Sequence, residues 1–192
     1  MDATRILIAE DETIIRLDLA RLLAAAGFEV CAEARDGLEA VELTAATAPD
    51  VAILDVKMPQ LDGIEAARRI LAARPLPVLL LTAFGDADLV ARAMDAGAFA
   101  YLTKPFREQD LVPAIRTAQA RHAELTDLRL EASSLREALA ARKVIERAKG
   151  ILMAKDGITE AEAFERLRRA SQRSGRPMKL IAEALAATLA DA

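Results

Sequence analysis

The chain has 192 residues, 53% of them hydrophobic and 29% charged, with five Phe, one Tyr and no Trp. This is enough apolar material for one ordinary domain plus a small one, and too much for a disordered chain. The net charge of −4 is uneven: residues 1–141 carry 15 Lys+Arg against 23 Asp+Glu, a net −8, while residues 142–192 carry 11 against 7, a net +4. A basic tail behind an acidic body suits an anionic partner, although a basic helix face is often only solvated. The lone Cys31 excludes an internal disulfide. With no apolar leader and no run of about 18 apolar residues, the expectation is a cytoplasmic protein that neither enters nor crosses a membrane.

The first 120 residues alternate between short apolar runs and helical spacing. RILIAE (5–10) reads as a strand, and TIIRLDLARLLAAAG (13–27) as a helix stopped by Gly27. FEVCAEA (28–34) is strand-like, Asp36-Gly37 reads as a turn, and LEAVELTAAT (38–47) is helical. VAILD (51–55) and IEAARRILAA (64–73), PVLLLTA (77–83) and ADLVARAMDAG (87–97), then AFAYLTK (98–104) and the helix from 108, complete five strand–helix units. Near-continuous apolar strands suit a parallel sheet covered on both faces. The predicted fold is therefore α/β and doubly wound, with functional groups at the carboxyl ends of the strands.

From about 121 to 156 the pattern is purely helical. Leu125, Leu128, Ala132, Leu135 and Leu139 step by 3, 4, 3 and 4, which is a seam of about two heptads. Such a seam suits a dimer stalk over 120–141; the alternative is that it packs against its own domain. Thr159 and Glu162 stand at capping-box spacing before a helix over 160–173, with Ala163, Phe164, Leu167 and Ala170 on one face. Ser174-Gly175 breaks that helix, and Pro177 can open a third at its first position. Met178, Ile181, Ala182, Leu185 and Leu189 form the third helix's apolar stripe.

The strand VAILD ends in an ionisable residue, and a buried charge there is costly without a partner. With strand order 2-1-3-4-5, the first and third strands are neighbours, and Glu10, Asp11 and Asp55 converge. Three carboxylates in one cleft repel unless a cation joins them, and an oxygen-only donor set calls for Mg²⁺. Thr82 ends the fourth strand and Lys104 the fifth, followed by Pro105. Acid, hydroxyl and ammonium around a metal suit a phosphoryl group, with Asp55 as the nucleophile that forms an acyl phosphate.

The stretches IAEDE, ILDVKMPQLDG, LLLTA and YLTKPF resemble the receiver domain of bacterial two-component response regulators over about residues 5–119. The resemblance implies that Asp55 is the phosphoacceptor. It makes Glu10 and Asp11 the acidic metal pair, with the backbone carbonyl of Lys57 as a further ligand. It makes Thr82 and Lys104 the phosphate-sensing pair, Tyr101 the switch aromatic, and Pro105 a cis proline. Glu10 stands where Asp is also common. The readout surface is then the fourth helix, fifth strand and fifth helix of the receiver, so phosphorylation is expected to change stalk pairing or the way the tail is held.

In the tail, ARKVIERAKGILM (141–153) places Val144, Ile145, Ala148 and Leu152 on one stripe and basic residues around the other side. Gly150 in mid-helix costs about 1 kcal/mol against alanine, so either close packing or close approach of a ligand must need its missing side chain. This segment, with ITEAEAFERLRRASQRSGRPMKLIAEALA, resembles the ANTAR output domain of antitermination regulators over about residues 125–186. The resemblance implies binding of RNA hairpins at their loops, with Arg142, Lys143, Lys149, Gly150, Arg173 and Lys179 as contact candidates. The whole chain is similar to the phosphorylation-dependent antitermination regulators of actinobacteria. That implies a sensor histidine kinase as partner, and the stalk seam adds the expectation of a homodimer formed on phosphorylation or RNA binding. A DNA-binding transcription factor is the alternative; a metal-dependent phosphohydrolase is disfavoured, because nothing in the sequence encloses a substrate.

Overall fold

The computed structural model describes residues 3–83, 92 and 96–190. The chain divides into two compact units, Met1–Thr126 and Asp127–Ala192. The first contains β1 (Arg5–Ala9), α1 (Thr13–Ala25), β2 (Glu29–Ala34), α2 (Gly37–Thr47), β3 (Val51–Asp55), α3 (Gly63–Ala73), β4 (Val78–Ala83) and β5 (Ala100–Lys104). The unit boundary falls inside α4 (Glu108–Asp156), which is followed by α5 (Glu160–Ser174) and α6 (Met178–Ala190). The helix expected over 87–97 lies outside the described residues except for Arg92, Ala96 and Gly97.

The five strands form one parallel sheet in the order β2-β1-β3-β4-β5, as the alternation predicts. Strand side chains alternate between faces. Ile6, Ile8, Val51, Ile53, Leu79 and Leu81 pack with Leu19 and Leu23 of α1 and with Leu111 and Ile115 of α4. Leu7, Ala9, Ala52, Leu54, Val78 and Leu80 pack with Ala40 of α2 and with Ile64, Ala67 and Ile70 of α3. The central strand β3 is buried along its whole length, which explains the unbroken apolar run Val51–Leu54 ahead of Asp55. The edge strands β2 and β5 are only partly covered and carry Glu29, Glu33, Tyr101 and Lys104.

Three local expectations change. Asp36-Gly37 is not a free turn: Asp36 caps α2, its Oδ1 accepting from the Glu39 N–H at 2.9 Å, and Gly37 is the first helical residue. An Asp-Gly pair serves a helix start as readily as a turn, because Asp is among the best capping residues. Gly27 does not end α1 directly; the helix stops at Ala25 and Gly27 turns the chain at φ +86°. Pro177 sits just before α6, where its carbonyl accepts from the N–H groups of Leu180 and Ile181.

The second unit has its own core of Ala148, Leu152, Ala163, Leu167 and Ala182, flanked by Val144, Ile145, Ile158, Met178, Ile181 and Leu185. Three of its five buried residues are alanines, and the larger side chains lie mostly at its margin. The capping box forms as expected: Thr159 Oγ1 accepts from the Glu162 N–H, and Glu162 accepts from the Thr159 N–H at 2.8 Å. Phe164 departs from its expected place in the core and is exposed. Ala163 and Leu167 fill the interior instead, so the ring falls at the margin of the apolar stripe. Leu189 lies outside the described side chains. Along α4, Leu128, Leu135 and Leu139 of the predicted seam are each more than half exposed. Among the described residues, no helix is long and apolar enough to cross a membrane.

Candidate functional site

The sheet brings the predicted acids together. β1 pairs with β3 from Ile6↔Val51 to Ala9↔Leu54, so Glu10 and Asp11 leave β1 beside Asp55 at the end of β3. One carboxylate oxygen from each of Glu10, Asp11 and Asp55 lies within 4.8 Å of the others. Glu10 and Asp55 are buried and Asp11 is exposed. Lys104, at the end of β5, reaches across β4 with its ammonium group 2.6 Å from Glu10 Oε2 and 2.9 Å from Asp55 Oδ1.

Burial dominates the electrostatics. It pushes the Glu10 carboxyl above its ordinary value; the Lys104 hydrogen bond opposes this only in part, and the Asp55 charge adds to it. Asp55 is raised for the same reason, with the Lys104 bond opposing and the Asp11 charge adding. For Lys104 burial works the other way, but the bonds and charges of Asp55 and Glu10 outweigh it and raise the ammonium. The cleft therefore holds more negative charge than one lysine comfortably balances. Its all-oxygen donor set fits a hard divalent cation such as Mg²⁺, with one exposed acid left open to water.

The remaining receiver candidates lie on the same sheet edge. Thr82 follows Leu81, the β4 residue paired with Asp55; it is buried, and its hydroxyl donates to the Ala83 carbonyl at 3.3 Å. Lys104 pairs with Ala83, and the Lys104–Pro105 peptide is cis. Tyr101 lies on edge strand β5 and is 46% exposed rather than buried. At Lys57 the backbone N–H donates to the Asp55 carboxylate.

Two residues at this site were not singled out from the sequence. Arg16 of α1 donates to the Glu10 carbonyl at 2.7 Å and pairs with Glu33 at 3.4 Å, bracing the turn that carries Glu10 and Asp11. Gly63 opens α3 with its Cα hard against Asp55. A Cβ there would lie 1.9 Å from the Asp55 carbonyl oxygen, so only glycine lets α3 start so close to the acid. The signal was present in the Asp62-Gly63 pair: Asp62 caps α3 by accepting from the Glu65 N–H at 2.7 Å.

In the second unit the basic candidates separate. Arg142, Lys143 and Arg173 are exposed, and Lys179 is half-buried, 3.9 Å from Glu183. Gly150 is exposed, and a Cβ built on it meets nothing within 4 Å, so packing among the described residues does not require it. Lys149 is buried, and its ammonium group lies 2.8 Å from Glu146 and 2.6 Å from Glu160.

Comparison with known proteins assigns these halves. Residues 6–116 match the family described as response regulator receiver domain, and residues 133–185 match the ANTAR domain. The chain is 51% identical over 185 residues to the transcriptional regulatory protein PdtaR of Mycobacterium tuberculosis, covering 96% of this chain and 90% of that protein. It is 40% identical to the response regulator MprA of Mycobacterium ulcerans over 65% of this chain and 53% of that one. Among solved structures, a response regulator receiver domain protein from Clostridium thermocellum matches with a TM-score of 0.59 at 38% identity, covering 64% of this chain and 98% of that one. The response regulator domain of Thermotoga maritima CheB matches at 0.58 and 30%, covering 62% and 98%. With a whole-length relative and both halves matched in order, this chain belongs to the response regulators that join a receiver domain to an ANTAR domain.

Proposed function

We propose that Asp55 accepts a phosphoryl group from a sensor histidine kinase, and that this event controls binding of RNA hairpins by the ANTAR domain and thereby transcription antitermination in the cytoplasm. The convergence of Glu10, Asp11, Asp55 and Lys104 carries this reading. The receiver spans 5–119, a helical linker 120–141, and the output domain, overlapping it, 125–186. Glu10, Asp11, Asp55 and the carbonyl of Lys57 would hold Mg²⁺, which supplies charge neutralisation for phosphoryl oxygens. An Asp55 carboxylate oxygen forms the bond to phosphorus as the bond to the donor's nitrogen breaks, leaving an acyl phosphate. Lys104 then exchanges a carboxylate oxygen for a phosphoryl oxygen, and the Thr82 hydroxyl redirects its hydrogen bond from Ala83 to the phosphate. Tyr101, now exposed, turns inward behind Thr82. The added charge is nearly two units, enough to bias a domain poised between two states.

The exposed leucines of α4 support the second half of the proposal. Leu128, Leu135 and Leu139 present a seam that a second copy can cover, so phosphorylation or RNA binding favours a homodimer. Arg142, Lys143, Arg173 and Lys179 anchor phosphates, and Gly150 leaves room for close approach of the RNA backbone or a splayed base. The chain is a regulator; the only hydrolysis expected is slow loss of its own acyl phosphate.

The test treats full-length protein with acetyl phosphate and Mg²⁺, then compares a stem-loop RNA with duplex DNA of the same sequence in a salt titration. The proposal expects a single phosphoryl adduct at Asp55, tighter RNA binding after treatment, and a preference for RNA over DNA. Preference for the duplex would instead establish a DNA-binding regulator, and no adduct would remove the phosphorylation step.

A further inference from the structure

Among the candidate RNA contacts, Lys179 has a single, looser pair with Glu183 at 3.9 Å, and Lys149 is the one held between two carboxylates. Its side chain is 8% exposed, and its ammonium group bridges Glu146, three residues earlier on α4, and Glu160, the first residue of α5. Both carboxylates are more than half exposed, so the cation is the covered member of the trio. The three groups together carry a net charge of −1, and a phosphate approaching Lys149 meets two carboxylates before it meets the lysine. Taking up that phosphate would also break two short charged hydrogen bonds. Both bonds hold the ammonium charged, and Glu160 is correspondingly more acidic than an ordinary glutamate.

The position of the trio says what it does instead. The connection from α4 to α5 turns at Gly157, φ +65°, and α5 is capped by Thr159. These features end one helix and start the next without setting the angle between them. The Lys149–Glu160 pair crosses from one helix to the other, together with an exposed Asp156–Arg166 pair. Among the described residues, Arg142, Lys143 and Arg147 on α4 and Arg173 on α5 form no ion pair, so they are cations free to meet a polyanion.

We infer that Lys149 is a positioning residue, a brace that fixes α5 against α4 so that the free cations of the two helices keep the spacing an RNA backbone requires. This rests on the RNA-binding reading and deepens it, by moving Lys149 out of the contact set and bringing Glu146 and Glu160 into the machinery.

The experiment uses the full chain treated with acetyl phosphate, and a stem-loop RNA selected by the native protein from a pool with randomised loops. Glu160→Gln is expected to weaken binding about tenfold, the scale of one lost charged hydrogen bond, and Lys149→Met, which loses two, at least as much. The slope of log affinity against log salt stays unchanged, because no phosphate contact is removed. The charge-reversed double variant, Lys149→Glu with Glu160→Lys, restores most of the affinity. Glu160→Gln is the decisive arm: removing an acid beside a polyanion tightens binding if Lys149 touches phosphate, and weakens it if Lys149 is a brace. A slope reduced by about 0.7–0.9 in Lys149→Met, the value of one phosphate contact, overturns the inference, as does unchanged affinity. A second arm needs no RNA. Spin labels at Ala154→Cys and Gln172→Cys, in a Cys31→Ser background, report the distance between α4 and α5. Lys149→Met should broaden that distribution and the double reversal should narrow it again. If the native chain binds no hairpin RNA, the functional proposal fails, and this arm still decides the brace: an unchanged distribution in Lys149→Met overturns it.

Discussion

Two lysines in this chain are each held between two carboxylates at almost the same distances, and their surroundings make them different devices. Lys104 stands 2.6 and 2.9 Å from Glu10 and Asp55; Lys149 stands 2.6 and 2.8 Å from Glu160 and Glu146. In the receiver the acids are buried and the lysine is partly open. In the output domain the lysine is buried and the acids are open. Buried carboxylates lack water, so their affinity for protons rises, and with it their demand for a second cation. Exposed carboxylates keep their water, and a covered lysine between them only gives up freedom. The first arrangement is a site waiting for charge; the second is a fastening. Counting ion pairs would not separate them, but burial of the acids does.

The comparison is broken most completely at Asp55. Asp55→Asn removes the nucleophile while keeping the shape, and intact-mass measurement after acetyl phosphate and Mg²⁺ treatment should find no phosphoryl adduct. An adduct of undiminished yield would place the acceptor elsewhere. The next effect is structural. Gly63→Ala puts a methyl group onto the backbone of Asp55, where no flexible side chain can give way. It should destabilise the receiver by about 2 kcal/mol or more and slow phosphorylation, read by urea unfolding and adduct yield. Gly63→Ala with native stability would mean that the start of α3 is not held against the acid.

How much of this was legible follows from where each signal sits. The sheet is legible in apolar runs buried on both faces, which β3 displays in four consecutive residues, Val51–Leu54, ahead of Asp55, and the doubly wound pattern supplies its order. The acid cleft followed from that order, because strand ends are positions along the chain. Asp62-Gly63 signals a helix start, but the approach of Gly63 to Asp55 and the Arg16 bond to the Glu10 carbonyl were not legible, since both exist only once the loops are folded. Lys149 misled for a related reason. Glu146 is three residues away and readable on a helix, but Glu160 arrives from beyond a turn, 11 residues on. A basic residue in a basic segment looks free until the chain folds an acid onto it. Phe164 misled through periodicity, which places an apolar stripe but not its margins.

Acid titration sharpens the comparison, because the two groups of acids respond with opposite sign. Glu10 and Asp55 have folded values above their ordinary 4.5 and 3.8, so the folded receiver binds protons more readily than the unfolded chain. In metal-free protein, their contribution to stability is present at low pH and is lost as pH rises through the raised values. Glu160 and Glu162 are lowered, Glu160 chiefly by the Lys149 hydrogen bond and Glu162 by the Thr159 N–H. Their contribution is present above the ordinary 4.5 and is lost as pH falls through the lowered values. Hydrogen exchange resolved by peptide, corrected for intrinsic rates, should show receiver protection increasing as pH falls from 7 toward the raised values. Saturating Mg²⁺ should abolish that increase, and output-domain protection should decline only at more acidic pH. Parallel responses in the two units would show that burial does not distinguish the two sets of acids.

The smallest expected effect is the most pointed about the output domain. Gly150 lies on the exposed side of a long helix, with nothing near enough to touch an added methyl group. On helix propensity alone, Gly150→Ala should stabilise the second unit by about 1 kcal/mol, since alanine loses less backbone freedom on folding. If the helix surface at Gly150 admits an RNA backbone or base, the same methyl group should weaken RNA binding while the free protein becomes more stable. Opposed changes in a thermal melt and in a binding titration would assign Gly150 to the interface, because a residue kept for folding cannot gain stability on replacement. A more stable variant that binds RNA as well as the native chain would remove Gly150 from the contact surface and leave its cost to the helix without a use in binding.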